Sequence, residues 1–451
     1  MPRYLLLDEP ESKEIGDLTQ GTPAELSPND FAIVQVDGEA RKVTIQDLVD
    51  AVSSGNSDAF GRLRVSNPVT LFDSKQVYDN QPLVWSERTT GAGTTSTHNA
   101  NKASVTIAAD PSVVGSRIRQ TRQRFNYQPG KSQLVYMTTR LGGIQANVVK
   151  RLGLLDDNNG LFCQVDSNGI GFGIRTFTSG AAVNSVTYDG AWSELNSGDG
   201  ILPIMDPNDT QIIAIDFEWL GVGRVRFGFV IDGQLYWVHE VNTANIGQLV
   251  YMSTPVLPLR YSVTSDGGGA PGSSQLDHIC TTVMSEGGQQ FTGIERSVSR
   301  TTSLTATTAG TIYPILGLRI NAANPNSVFD LTSFTMVTDT ASCIFEIAVF
   351  LNPTLAGPAP VWTPVTNSII EASTTVAPAT TITAATGTKV TSNLGITGGG
   401  TTANSTVRIT YLNKIPVGFN ASGVADQLWV AAIPRVGSPI MWASSSWFEV
   451  S

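Results

Sequence analysis

The stretch QIIAIDFEWLGVGRVRFGFVIDGQLYWVHEV, residues 211–241, predicts a three-stranded antiparallel meander. Glycine-containing turns separate its predicted strands, which are Gln211–Trp219, Arg224–Ile231 and Gln234–Val241. Side chains of the middle strand alternate between two faces, with Val225, Phe227, Phe229 and Ile231 on one face and Arg224, Arg226, Gly228 and Val230 on the other. A period of two indicates that one face is buried while the other contacts solvent or a partner, which is typical of a β-sandwich.

Similar strands at close spacing extend over residues 100–290. The turn sequences at residues 156–160 and 166–169 separate three more predicted strands, which are Ala146–Leu155, Leu161–Val165 and Ile170–Phe177. In this strand rhythm the block resembles the concanavalin-type jelly roll of lectins and laminin-G-like modules. The resemblance implies a jelly-roll β-sandwich for residues 100–290.

Residues 291–451 predict a second β-sandwich, which is rich in threonine and alanine and sparse in charge. A single hydrophobic core stops growing near ~250–300 residues, so a chain of 451 residues is expected to divide in this way. Its predicted strands are Thr311–Ile320, Phe334–Val337, Ile344–Leu351, Val407–Leu412 and Gln427–Ile433. Residues 372–400 predict a Thr/Gly-rich excursion, and the low charge favours contact with further copies of the chain.

Residues 1–57 predict a small α+β module. Phe31–Val36 and Lys42–Ile45 predict a hairpin with its turn at Asp37-Gly38, and Thr44 can cap a helix over Ile45–Val52. So small a unit buries little surface alone, and we expect it to dock onto copies of itself or onto a partner. It resembles the short N-terminal attachment modules of phage fibres and tailspikes.

The stretch DAFGRLRVSNPVTLFDSKQ, residues 58–76, opens a segment that we expect to form an extended connector arm over residues 58–99. Because Pro68 cannot donate a ladder hydrogen bond, this β-rich sequence favours an arm or an edge strand lying along a neighbour. An ordinary entry strand into the next domain is the alternative. The residues expected to make the attachment are Phe60, Arg62, Arg64, Leu71 and Phe72.

Segments similar to AFGRLRVSxPxTLFDS lie near the front of many tailed-phage virion proteins of the tail-fibre, head-fibre and capsid-decorating types. The resemblance implies a homotrimeric virion protein, made in the host cytoplasm and displayed on the outer surface of the particle. Its N-terminus would bind a tail hub, an adaptor or the major capsid protein. Three roles stay open: a fibre or spike that adheres to a host-surface glycan, a capsid-decorating protein that stabilises the shell, and a glycan-cleaving tailspike.

The charge of the chain argues against nucleic acid as a partner. Its formal net charge is -10 and its sequence pI is about 4.9, so its overall field repels phosphate backbones. The basic concentration SRIRQTRQRFNY superficially resembles a nucleic-acid strip. We expect it to make salt bridges between subunits instead, through Arg117, Arg119, Arg122 and Arg124.

Two further features bear on the compartment. Cys163, Cys280 and Cys343 are odd in number and widely spaced, which favours buried free thiols over a disulfide framework or a metal site. The N-terminal apolar run Tyr4–Leu7 is too short for a signal-peptide core or a membrane span. We therefore expect neither secretion through a signal peptide nor insertion into a membrane.

The sequence predicts no catalytic centre. Glycoside hydrolysis requires two carboxylates held close together. Laminarinase-like jelly rolls place them as E-x-D-x-x-E, and alignment on Asp216 puts Ala214 and Trp219 where both glutamates should be. Asp216 and Glu218 share one strand face, and we expect ion pairs to Arg224 or Arg226 there, with cation or sugar binding as the alternative. The three histidines fit no known nucleophilic arrangement, so we expect a non-enzymatic protein without a cofactor.

Two candidate ligand contacts remain. The acidic turns that begin at Asp156-Asp157 and Asp166 supply oxygen ligands of the kind that calcium prefers. They are equally standard hairpin turns, and we expect them to be free of metal. Trp192 follows a Tyr-Asp-Gly turn, and an exposed tryptophan there would stack on a sugar, which makes it the candidate glycan contact.

Overall fold

The computed structural model describes residues 31–36, 39–44, 59, 68–193, 206–245, 249–286, 293–398, 405–410 and 417–450. Over these residues the chain consists of antiparallel strands, with one 3₁₀ turn at Ala100–Lys102. Strands β1 (Phe31–Val36) and β2 (Glu39–Thr44) form the predicted N-terminal hairpin. The helix predicted over 45–52 and the attachment residues Phe60, Arg62 and Arg64 lie outside the described residues.

The first sandwich consists of a seven-stranded sheet, in the order β12-β11-β10-β9-β16-β7-β4, and an eight-stranded sheet, in the order β15-β14-β13-β8-β17-β6-β5 with β3 also paired to β17. The chain crosses repeatedly between the two sheets, which makes this a jelly roll and confirms the predicted fold class. Its strands are β3 (Val69–Lys75), β4 (Trp85–Gly91), β5 (Thr94–Asn99), β6 (Ser104–Ala109), β7 (Val114–Thr121), β8 (Gln133–Arg140), β9 (Val148–Leu155), β10 (Gly160–Asp166), β11 (Gly169–Thr176), β12 (Val183–Tyr188), β13 (Thr210–Phe217), β14 (Arg224–Ile231), β15 (Gln234–Asn242), β16 (Leu259–Asp266) and β17 (Ser274–Ser285).

The core of this sandwich lies between its two sheets. Strands β13, β14 and β15 form the predicted meander, and Val225, Phe227 and Phe229 of β14 are fully buried on its inner face. From the facing sheet, Phe172 stacks on Phe227 with ring centroids 4.9 Å apart. Each such aromatic side chain buries on the order of 150–250 Å², so these contacts provide much of the energy that holds the two layers together.

Residues 69–99 do not extend as an arm but supply three strands of this sandwich. β3 pairs antiparallel with the second half of β17, and Leu71 and Phe72 pack against the core. The prediction of a connector arm over 58–99 is therefore corrected for these residues. The cause is the length of β17, whose first half pairs with β6 and whose second half leaves an edge that β3 completes.

The second sandwich places a five-stranded sheet, β18-β30-β21-β28 with β19 on β30, against a six-stranded sheet in the order β24-β25-β20-β29-β22-β27. This confirms a second β-sandwich. Its strands are β18 (Ile294–Ser299), β19 (Leu304–Thr305), β20 (Tyr313–Ile320), β21 (Val328–Thr338), β22 (Ile344–Leu351), β23 (Leu355–Ala356), β24 (Thr363–Pro364), β25 (Ile370–Ser373), β26 (Thr381–Ile382), β27 (Thr388–Ile396), β28 (Ser405–Thr410), β29 (Gln427–Val436) and β30 (Ile440–Val450).

A third layer covers the outer face of the six-stranded sheet. Trp429 lies on that face and is fully buried, because Val376, Ile382 and Trp362 pack over it or beside it. The Trp362 and Trp429 rings meet edge to face with centroids 5.2 Å apart. Part of the segment predicted as a Thr/Gly-rich excursion thus forms a hydrophobic cover, and its last part forms strand β27.

The two sandwiches contact each other directly. Nη1 of Arg122, which follows β7, donates to Oδ1 of Asp426 at 2.6 Å, and Asp426 is 2% exposed. Nearby, the backbone N–H of Ala421 donates to Oγ of Ser86 at 2.9 Å. A Cβ at Gly418 would overlap the carbonyl oxygen of Arg122, so glycine permits this close approach.

Candidate functional site

Of the two carboxylates that the sequence singled out, Asp216 lies on the outer face of the eight-stranded sheet and Glu218 follows the end of strand β13. Asp216 on β13 lies opposite Arg226 on β14, and Nη2 of Arg226 donates to Oδ2 of Asp216 at 2.5 Å. The Arg226 guanidinium also lies over the Trp237 ring, 4.5 Å from its centroid. The predicted ion pair is present, but Asp216 is 0% exposed, so this part of the face is closed to solvent. Oε1 of Glu218 accepts the backbone N–H of residue 224.

Trp192 belongs to the core rather than to the surface. Its ring is 6% exposed and packs against Phe172 and Phe229, at centroid distances of 5.1 Å and 6.1 Å. Its Nε1 donates to the carbonyl of Thr187 at 2.9 Å. The prediction of Trp192 as a glycan contact is corrected, because a buried ring cannot stack on a sugar.

The four arginines of the basic segment bind carboxylates of their own chain. The pairs are Arg117 with Glu87, Arg119 with Glu87, Arg122 with Asp426 and Arg124 with Asp156, at 3.5, 3.2, 2.6 and 2.9 Å. Arg119 and Arg124 are buried. The prediction that this segment bridges subunits is corrected, because alternation along β7 turns some of these side chains inward and acids within the chain neutralise them.

A buried polar network surrounds Arg119. Its Nε donates to Nδ1 of His278 at 3.2 Å, and its Nη2 donates to Oε1 of Gln76 at 3.0 Å. The guanidinium lies over the Trp85 ring, and Nε1 of Trp85 donates to Oγ of Ser74 at 2.9 Å. Burial and the Arg119 charge hold the pKa of His278 well below its usual value, so His278 is neutral. The network joins β3 to both sheets of the first sandwich.

The acidic turn after β9 is held by arginines. Oδ1 of Asp156 accepts hydrogen bonds from the backbone N–H groups of residues 158 and 159, and its Oδ2 accepts a hydrogen bond from Nη1 of Arg124. The Asp157 carboxylate accepts hydrogen bonds from Nη1 of Arg88 at 2.8 Å and from Nη1 of Arg260 at 2.7 Å. Burial alone would raise the pKa of Asp157, but these two arginines lower it. Since cationic side chains take these oxygens, the geometry accounts for the turn without a metal. Among the described residues, no group of three or more potential ligands is placed to hold a metal ion.

A polar cavity of about 240 Å³ opens at one end of the first sandwich, where the chain crosses from β8 to β9. The crossing loop 141–147 forms one wall and the start of β17 forms another. Gly142 has a φ of +66°, and a Cβ there would overlap the carbonyl oxygen of Gln275, so glycine lets the loop approach β17 closely. The polar side chains that line the cavity are Arg140, Gln145, Lys150, Asn208, Ser273, Ser274 and Gln275.

Lys150 is the buried cation of this cavity. It is 1% exposed, and its Nζ donates to the carbonyls of Leu141 and Gly143 at 3.0 Å and 2.8 Å. Burial, together with the charge of Arg140, lowers the pKa of Lys150 to about 8. The sequence analysis missed this residue, because a lysine that alternates with apolar side chains in a strand resembles an ordinary surface lysine.

The second sandwich ends at an apolar edge. β27 is the last strand of the six-stranded sheet, and its Leu394 and Ile396 are 67% and 70% exposed. On the neighbouring strand, Glu346 accepts hydrogen bonds from Lys389 and Arg435. An edge strand that exposes large apolar side chains is a site at which another chain can pair.

Comparison with known proteins adds solved structures only, since neither a protein-family model nor a curated protein matches the chain. SCLam, a non-specific endo-β-1,3(4)-glucanase from family GH16, is 11% identical with a TM-score of 0.33, over 50% of this chain and 94% of that one. The Emp47p carbohydrate recognition domain is 13% identical with a TM-score of 0.29, and the match covers 49% of this chain and 97% of that domain. A legume lectin-like domain from Entamoeba histolytica is 9% identical with a TM-score of 0.28, and the match covers 48% of this chain and 98% of that domain.

Similarity at this level carries no inference about activity or ligand. The strand order and register of this chain establish its fold on their own. Among the described residues, no helix has the length and apolar character needed to span a membrane.

Proposed function

We propose that this chain is a non-enzymatic structural protein of a tailed-phage particle, of the fibre or spike type, that adheres to a glycan on the host surface. The observation that carries the proposal is the segment at residues 58–76, which resembles the front of such virion proteins. In the structure its second half is strand β3, integrated into the sandwich through β17 and through the network around Arg119. A pull on the N-terminal side of this strand would therefore be transmitted to both sheets.

The start of the segment is also held by the sandwich. Ala59 is buried, and its carbonyl oxygen accepts Nε of Arg224 at 2.7 Å. Contacts at both Ala59 and β3 define where the chain leaves the sandwich toward its N-terminal hairpin. This arrangement suits an N-terminal attachment to a hub, an adaptor or a capsid protein.

The proposal of a non-enzymatic role is supported by the contacts that Asp216 and Glu218 make within the chain. Asp216 is fully buried against Arg226, and Glu218 accepts a backbone N–H group. General acid and base catalysis needs carboxyl groups that can reach a substrate. Incubation of the purified chain with host surface polysaccharide tests this directly: unchanged viscosity and no reducing ends are expected, and release of oligosaccharides would overturn the non-enzymatic role.

Self-association forms part of the proposal, with three copies expected. Exposed Leu394 and Ile396 on the edge strand β27 are the best-placed contacts in the described residues. Replacing both by aspartate should lower the mass measured by analytical ultracentrifugation from trimer to monomer. Val114→Asp, at a residue 66% exposed on the first sandwich, is the matched control and should leave the mass unchanged. A wild-type monomer would overturn the trimer.

Position on the particle is tested by counting copies per virion with quantitative mass spectrometry and by immunogold labelling. A fibre or spike gives a low copy number with label at the tail. Label over the whole shell at high copy number would overturn the hypothesis of a fibre or spike and favour a capsid-decorating protein. Adhesion is tested separately, by binding of the purified chain to host cells before and after removal of their surface polysaccharide.

A further inference from the structure

Lys150 is a buried cation that makes no ion pair in the part of the chain that the structure describes. An ammonium group has three N–H donors, and two of them reach the carbonyls of Leu141 and Gly143. Among the described residues no carboxylate lies within ion-pair distance of its Nζ: Asp277 attracts it only through its Coulombic field and is itself bound to Arg140 at 2.7 Å. Buried charges in proteins are normally paired, because removal of an ion from water is costly. The third N–H group of Lys150 is thus available to an anion in the cavity.

Within the described ranges, further polar atoms that line the cavity have no hydrogen-bond partner. Oγ of Ser274 is buried and makes no hydrogen bond. Arg140 uses Nε on Asp277 and Nη2 on Gln275, which leaves Nη1 open. Nδ2 of Asn208, which also lines the cavity, donates to Oδ1 of Asp206 at 2.9 Å, so the Asn208 amide oxygen remains as an acceptor. The lining of the cavity therefore offers cationic donors, an amide oxygen and a hydroxyl group.

We propose that this cavity binds one acidic sugar residue, with the carboxylate on Lys150 and Arg140 and the ring hydroxyls on Asn208, Gln145 and Ser274. The inference rests on the proposed function, since it names the class of glycan to which the chain would adhere. A sulfate ion presents only acceptors at neutral pH and cannot satisfy the Asn208 oxygen. A phosphate ion keeps an O–H group but lacks the set of ring hydroxyls that would bond Asn208, Gln145 and Ser274 together, whereas a sugar supplies them.

The size of the cavity agrees with one ring. Its volume of about 240 Å³ lies below the ~300–1,000 Å³ of pockets that hold drug-sized ligands. Ile144 is 53% exposed at the rim and offers an apolar contact to the C–H face of the ring. The binding mode is therefore that of a terminal or side-branch sugar entering from the end of the sandwich.

Isothermal titration calorimetry of the full chain with sodium glucuronate, glucose and inorganic phosphate tests the proposal. Glucuronate should bind, and glucose and phosphate should bind at least about tenfold more weakly. Lys150→Met should weaken glucuronate binding by about tenfold or more, because it removes a charge-assisted hydrogen bond. Lys102→Met, at an exposed lysine of the same sandwich, is the matched control and should bind as the wild type does.

Gln145→Ala keeps the test valid if Lys150→Met fails to fold, because the Gln145 side chain makes no hydrogen bond in the described structure and its removal should not affect folding. It should weaken glucuronate binding severalfold with an unchanged melting temperature. No binding by the wild-type chain, equal binding of phosphate, equal binding of glucose or full binding by Gln145→Ala and Lys150→Met would each overturn the proposal.

The test separates this proposal from the proposed function. Host-cell adhesion that persists in Lys150→Met would overturn the role of the cavity while adhesion itself stands. Glucuronate binding by a chain that does not attach to host cells would support the cavity and overturn the adhesive role.

Discussion

The ion pair between Arg122 and Asp426 should couple the unfolding of the two sandwiches. Arg122 follows β7 of the first sandwich, and Asp426 immediately precedes β29 of the second. Replacement of Arg122 by methionine keeps most of the apolar stem and removes the charge. We expect the second sandwich to lose stability and to unfold separately from the first.

The size of the stability loss depends on the hydrogen bonds that Asp426 retains in the variant. Removing one partner of a fully buried pair costs about 3–5 kcal/mol, because the other charge remains buried. Here the Arg122 side chain is 19% exposed, and Asp426 still accepts Nδ2 of Asn352 at 2.6 Å and the N–H of Gly418 at 3.2 Å. We therefore expect a loss of about 2–3 kcal/mol.

The loss should depend on pH in a defined direction. Burial raises the pKa of Asp426, and Arg122 opposes this rise. Without Arg122 the folded chain holds a proton on Asp426 at pH values where the unfolded chain has released it. Stability in the variant should therefore fall as pH rises through the folded-state pKa, and the variant should be closest to wild type in acid.

Differential scanning calorimetry and urea unfolding followed by tryptophan fluorescence provide the measurement. Arg117→Met is the matched control, because its partner Glu87 lies 3.5 Å away and both side chains are about one-fifth exposed, so we expect a loss below about 1 kcal/mol. Equal losses in the two variants, or a single unshifted transition in Arg122→Met, would refute the coupling.

Three further predictions concern groups inside the sandwiches. The pKa of His278 is held well below its usual value, so below about pH 6.5 the unfolded chain takes up a proton that the folded chain does not, and stability should fall with acid by up to ~1.4 kcal/mol per pH unit. His278→Gln should reduce the slope of unfolding free energy against pH, measured by urea unfolding at a series of pH values. An identical slope in the variant would contradict this role of His278. Trp192→Ala should destabilise the first sandwich by about 3–5 kcal/mol, measured by thermal melting, because it leaves a core cavity; a stable variant that merely loses glycan binding would contradict this. Burial raises the pKa of both the Cys163 and the Cys280 thiols, but Cys163 is fully buried whereas Cys280 is partly exposed, so native protein should react with Ellman's reagent at Cys280 first; the reverse order would show that the core opens readily.

Much of the fold was predictable because strand signals are local. Alternation of apolar side chains between glycine turns predicted Arg224–Ile231, and a short apolar run predicted Ile344–Leu351, both with the bounds that the structure has. The same signals failed for β17, the strand that joins β3, β6 and β8. It carries buried polar side chains such as Asp277 and His278, and these interrupt the apolar pattern from which a strand is predicted.

The functional groups depended on contacts that are distant in the chain. Arg119 and Lys150 are ordinary charged residues until pairing across strands places them between layers, and Trp192 is a core residue only because Phe172 and Phe229 meet around it. Local pattern therefore accounts for the class of fold and for several strand bounds. Long-range strand pairing decided which charges are buried, how residues 69–99 join the first sandwich and where the cavity beside Lys150 lies. The reason is that the solvation of a side chain depends on which strands pack over it.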